Sequence, residues 1–72
     1  MPNKRTPEDV VAEYPLTGLV IGWYFRVDEI EPGFFNVEGT DLDGRQVQRQ
    51  STNRDRALEA AKQDARDIRE RR

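Results

Sequence analysis

Between Leu19 and Val27 every second residue is apolar: Leu19, Ile21, Trp23, Phe25 and Val27. These are aromatic, β-branched and aliphatic side chains, and the first two types are favoured in strands. Between them stand Val20, Gly22, Tyr24 and Arg26, with Asp28 following. A period of two sends one set to one face of an extended chain and the other set to the opposite face. One face is wholly apolar and the other turns polar toward its C-terminal end, so the stretch predicts a strand with one buried face. All six aromatic residues lie between Tyr14 and Phe35. Any core this chain builds must therefore be built around that strand.

The neighbouring segments supply its partners. Glu31-Pro32-Gly33 reads as a turn, because Pro presets φ and Gly accepts a positive φ after it. Phe34 to Thr40 predicts a second strand, with Phe35 and Val37 on the core side and Phe34, Asn36 and Glu38 opposite. Thr40-Asp41-Leu42-Asp43-Gly44 is a second turn, with Asp-Gly as its hairpin cue. Arg45 to Ser51 predicts a third strand whose one apolar side chain is Val47, with Gln46, Gln48 and Gln50 on the other face. So polar a strand belongs at a sheet edge. From about Asn53 to Glu70 the pattern becomes helical. Thr52 is its expected cap, and Leu58, Ala61, Ala65 and Ile68, with Ala57 beside them, form one stripe. Upstream, Thr6 caps a short helix that opens at Pro7, carries Val10, Val11 and Tyr14 on one face and stops at Pro15. Gly22 is expected to relieve crowding beside a large neighbour or to mark a bulge. Eighteen helical residues span roughly 27 Å and nine strand residues roughly 30 Å, so the helix can lie along the apolar sheet face. The expected fold is α+β: a three-stranded antiparallel β-meander with a C-terminal helix packed on one face and a short N-terminal helix, in the order α-β-β-β-α.

Length and composition bound the rest. The chain has 72 residues, of which Leu, Ile, Val and Phe account for 16, and 36% are charged. It is read as a single small domain over 1–72, with disordered ends at 1–5 and 69–72. It contains no Cys and no His, which removes disulfides, thiolate and imidazole metal ligands, the cysteine nucleophile and the imidazole base. Ser51 is the sole serine and lies where a helix cap is expected. Asp41-x-Asp43-Gly44 opens like a calcium loop, but that loop needs Gly at its sixth position and Glu at its twelfth, where this chain has Gln46 and Thr52. Asp28, Glu29 and Glu31 flank an exposed turn, whereas a general acid needs a carboxyl desolvated in a pocket. No enzyme activity, no cofactor and no metal are expected. No apolar run approaches a membrane span, and Met1-Pro2-Asn3-Lys4-Arg5 lacks the apolar stretch of a signal peptide. The expected location is the cytoplasm of a bacterium-like cell.

A net charge of −2 hides a division. Residues 14–44 hold one Arg and six acids, whereas residues 45–72 hold nine basic and five acidic residues, eight of the nine basic ones being Arg. With a helix on one sheet face, the other would show Val20, Tyr24, Arg26, Phe34, Asn36, Gln46, Gln48 and Gln50. Tyr24, Arg26, Phe34, Asn36, Gln46 and Gln48, together with Arg45, Arg49, Arg54 and Arg56 along an Arg-rich edge, form the candidate binding surface. The expected role is a small non-catalytic interaction module that binds a protein partner, or itself as a homodimer, through the open face. The alternative is nucleic-acid binding through Arg26, Arg45, Arg49, Arg54 and Arg56. An acidic balance on half the surface counts against that alternative, because phosphate attraction supplies most nucleic-acid affinity.

Trp23-Tyr24-Phe25-Arg26-Val27, then Asp43-Gly44-Arg45, then Ser51-Thr52 and a helix opening Arg54-Asp55-Arg56-Ala57 resembles the arm-type DNA-binding domains of phage and transposon integrases. That resemblance implies a three-stranded sheet placed in the major groove and backed by a C-terminal helix. The α-β-β-β-α order is also similar to double-stranded RNA-binding domains. Both resemblances cover roughly residues 22–66.

Overall fold

The computed structural model describes residues 6–71. Five elements follow one another: α1 (Pro7–Glu13), β1 (Trp23–Glu31), β2 (Phe34–Asp41), β3 (Gln46–Ser51) and α2 (Arg54–Glu70). The strands form one antiparallel sheet in the order β1-β2-β3. The fold is the expected α+β arrangement. Residues 1–5 and Arg72, where fraying is expected, lie outside the described residues. Arg69 and Glu70, also expected to fray, are the last residues of α2.

The odd-numbered residues of β1 do turn inward, but the strand begins four residues later than its alternation suggests. Leu19 to Gly22 bends and turns instead of extending. Gly18 and Gly22 hold φ near +82° and +81°, a left-handed conformation that an extended chain cannot continue through. The Trp23 N–H donates to the Val20 carbonyl at 3.0 Å and closes the turn. Ile21, expected on the core face, is therefore thrown outward and is 75% exposed, while Val20 is buried. Gly22 relieves no crowding, since a Cβ there would meet nothing within 4 Å. Its role is conformational.

The glycine that makes room is Gly39. It stands opposite Phe25 in the β1–β2 register. A Cβ at Gly39 would lie 2.5 Å from Cε2 of the Phe25 ring and 3.0 Å from a Val47 methyl. The Phe25 ring thus lies against bare backbone and is fully buried. Trp23, two residues away on the same face, stacks beside it with ring centroids 6.4 Å apart. Val37, Val47, Val20 and the three alanines Ala57, Ala61 and Ala65 of α2 complete the core, with Leu16, Leu19, Val27, Leu58 and Ile68 packed around it. Alanine along the buried face lets α2 approach bulky aromatics closely.

A β-bulge sets this alignment. Pro32 and Gly33 form a two-residue loop that pairs Glu31 with Phe34, but the register shifts between Glu29 and Glu31 and leaves Ile30 as the extra residue. Without that shift Phe25 would stand opposite Thr40 and Val27 opposite Glu38, so apolar and polar side chains would share each face. The Glu29 carboxylate accepts the Gly33 N–H at 2.8 Å and ties the bulge to the turn.

Helix ends follow local chemistry. Thr6 Oγ1 accepts the Asp9 N–H at 3.3 Å and Pro7 opens α1, as expected. The cap of α2 is Asn53, not Thr52. Ser51 Oγ accepts the Asn53 N–H at 3.0 Å, and Asn53 Oδ1 then accepts the Arg56 N–H at 3.0 Å. The two helices occupy opposite faces, and the end of α1 (Ala12, Glu13) and the start of α2 (Arg54) line a common hollow beside Val27. From α1 the chain passes around the β1 edge, where Leu16 and Phe25 exchange two backbone hydrogen bonds of 2.9 Å. It then reaches the α2 side, where Leu19 and Val20 join the core.

Gly39→Ala is expected to destabilise the fold by about 1–3 kcal/mol, because a buried ring cannot retreat from the added methyl. Denaturant unfolding measures this. In a Phe25→Leu background the same substitution should cost clearly less, and equal costs in the two backgrounds would contradict the contact.

Candidate interaction surface

The sheet face opposite α2 is not fully open. Tyr14, at the end of α1, is buried, and the Arg26 guanidinium lies over its ring at 5.3 Å from the centroid. Arg26 Nε is 3.2 Å from both Asp28 Oδ2 and Glu38 Oε1. It is aligned with neither as a hydrogen bond, so the attraction is ionic. Glu38 is the cross-strand partner of Arg26. Arg26 therefore works as a clamp that holds the α1 segment to the sheet.

The other candidates divide among several places. Tyr24 and Phe34 are half-buried on this face, and Gln46 and Gln48 are exposed. Asn36 is a correction: it is only 7% exposed, and its Oδ1 accepts from Gln48 Nε2 at 2.8 Å. Arg49 is a second. It alternates with Gln48 and Gln50 and so faces α2, where it donates to the two Asp64 carboxylate oxygens at 2.6 and 3.0 Å. Arg45 lies in the β2–β3 turn against Asp41, whose Oδ1 also accepts the N–H groups of Asp43 and Arg45 at 3.0 and 2.9 Å. These bonds, with Thr40 Oγ1 donating to the Arg45 carbonyl at 3.0 Å, close the loop that reads like a calcium site. Arg54 and Arg56 stand exposed at the start of α2, with Arg54 Nη1 3.8 Å from Asp55. Seventeen helical residues, roughly 26 Å, separate that end of α2 from the Arg45 end. The ten candidates thus form no single surface.

What remains uncovered is a strip along β3. A shallow groove of about 320 Å³ is lined by Tyr14, Glu38, Gly39, Gln46, Val47 and Gln48. Beyond it runs the outer edge of β3, whose exposed side chains on this face are Gln46, Gln48 and Gln50. Tyr14, Glu38, Gly39 and Val47 line the groove without being among the candidates, Gln50 extends the strip, and Asp64 holds Arg49 on the other face. Tyr14 had a sequence signal in its helical position next to Val10, whereas Asp64 had none until the register of α2 against β3 is known. Among the described residues no group of three acidic side chains is placed to hold a metal ion, and no helix is long and apolar enough to cross a membrane.

No protein-family model, curated protein or solved structure matches this chain.

The Arg49 hydrogen bond holds the Asp64 carboxyl below its ordinary value of 3.8, against the opposing effect of burial. Lys62 likewise lowers Glu59 through a 2.8 Å contact. A carboxyl lowered in the folded state adds stability above its unfolded value, and that stability is lost as pH falls through the folded value. Asp64→Asn is therefore expected to flatten the acid limb of stability below pH 3.8, with no change in the slope near neutrality, as read by denaturant midpoints across pH. Arg26→Met tests the clamp. Amide exchange at Val10 and Tyr14 should accelerate roughly 2- to 5-fold while the β2–β3 amides keep their rates.

Proposed function

We propose that this chain is a non-catalytic interaction module that binds protein through the β3 side of the sheet. One observation carries this reading. The strand and turn arginines Arg26, Arg45 and Arg49 each lie against carboxylates of the same chain, while the neutral amides Gln46, Gln48 and Gln50 stand exposed and Tyr14 lines the groove beside Gln46 and Gln48. An arginine held by an internal carboxylate gives up that pairing before it can neutralise a phosphate. A row of amides beside an aromatic, next to an unpaired strand edge, suits peptide backbone and polar side chains instead. Arg54 and Arg56 are the cations left for a phosphate at the start of α2, and they lie away from the amide row.

The test places a photo-crosslinking residue at Gln50 in the full chain, in cells, and measures duplex DNA and RNA binding of the purified chain at low salt in parallel. The reading expects protein adducts at Gln50 and no shift with either duplex. Nucleic-acid adducts, or duplex binding that weakens steeply with salt and is lost on Arg54→Ala with Arg56→Ala, would replace it with the nucleic-acid alternative.

A further inference from the structure

The sheet has two edges, and they are treated differently. On the β1 edge, Phe25 points its N–H and carbonyl away from β2 and bonds both to Leu16. The bulge at Ile30 distorts the same edge near the hairpin. Both are recognised ways of blocking further pairing. The Leu16–Phe25 bridge also fixes the phase of the whole sheet. Odd residues of β1 bond outward, so even residues of β1 and β2 bond each other, and odd residues of β2 bond β3. Through the pairs Phe35–Ser51, Val37–Arg49 and Gly39–Val47, the outward N–H and carbonyl groups of β3 are those of Gln46, Gln48 and Gln50. Nothing in the fold covers them among the described residues. The strand has no Pro, no bulge and no Lys, and its one charge, Arg49, is folded back onto Asp64.

We infer that this edge pairs with the same edge of a second copy of the chain, antiparallel and centred on Gln48, to give a continuous six-stranded sheet. This rests on the protein-binding reading above and names the partner. Charge selects both the partner and the register. Only even residues of the two copies can exchange ladder bonds, and three two-fold registers pair Gln48 with one of the three glutamines. Pairing Gln48 with Gln50 sets Arg49 directly against Arg49. Pairing Gln46 with Gln48 sets Arg49 against Arg45. Like charges directly opposite destabilise a sheet. Pairing Gln48 with its own copy, with Gln46 opposite Gln50, instead sets Arg49 against Val47. The groove beside Val47 on the α2 side is lined by Gln46, Asp64, Asp67, Ile68 and Arg71, so Arg49 of one copy meets two carboxylates, one cation and an aliphatic side chain of the other. On the opposite face the Asn36–Gln48 amide pair of each copy meets its twin, extending a neutral amide ladder across the junction.

Sedimentation equilibrium of the full chain at rising concentration tests this, with two exposed double variants. Gln46→Lys with Gln50→Lys puts like charges across the junction and should weaken the dimer. Gln46→Glu with Gln50→Lys puts opposite charges across it twice and should tighten the dimer roughly 2- to 30-fold relative to wild type. Within one copy these positions are too far apart along the strand to pair, so folding is not at stake. A chain that stays monomeric at millimolar concentration, or a dimer indifferent to both variants, overturns the inference. A monomer that still forms adducts to a different protein at Gln50 removes self-pairing alone and leaves the protein-binding reading in place.

Discussion

The Phe25 ring lying on the bare backbone of Gly39 is the contact that the rest of this small fold depends on. A chain of this size buries too little surface to tolerate a poorly packed centre. The largest fully buried side chain is Phe25, and its full burial contributes about 1.5–3 kcal/mol before entropy. The ring can enter only where the opposite strand offers no Cβ. That requirement fixes the β1–β2 register, the register demands the bulge at Ile30, and the bulge brings odd residues of both strands to one face. Every assignment of a side chain to the core or to the outer face descends from that geometry.

The outer face is then shaped by charge. Arg26 meets Tyr14, Asp28 and Glu38; Arg45 meets Asp41; Arg49 meets Asp64. Each of these arginines is thus neutralised close to home: Arg26 within the acidic half, Arg49 within the basic half, and Arg45 across their boundary. Their neutralisation leaves the sheet with an amide-rich strip rather than a cationic one, and it leaves β3 as the edge that the fold does not block. These two features are what the protein-binding proposal rests on.

Much of this was legible in the sequence, for physical reasons that can be named. The element order, the Thr6 cap, both turns and the alanine stripe of α2 all rest on local chemistry, which a sequence carries directly. Trp23 and Phe25 inward is a parity statement and needs nothing more. Parity fails at Ile21 because the alternation runs back across Gly22, whose positive φ breaks the strand that the apolar pattern alone would extend. Gly39 and Ile30 illustrate a second kind of gap. Odd apolar residues in both strands around a two-residue loop already imply one extra residue, so the bulge is an arithmetic consequence of the pattern rather than a surprise. The candidate surface was less legible. Asn36 and Arg49 read as polar and exposed from their types. The burial of Asn36 and the pairing of both depend on Gln48 and Asp64, twelve and fifteen residues away, and such contacts appear only once strand and helix registers are set.

The assignment of the two sheet faces is tested most directly by nuclear Overhauser contacts from the Phe25 ring in the folded chain. Contacts from its ring protons to the Gly39 α-protons and to the Val47 methyls, with none to Gln46 or Gln48 side chains, are the result this geometry requires. Phe25 contacts to the Tyr14 ring and the Gln48 side chain, with Gly39 silent, would place the core on the other face and contradict the fold, the amide strip and the β3 edge together.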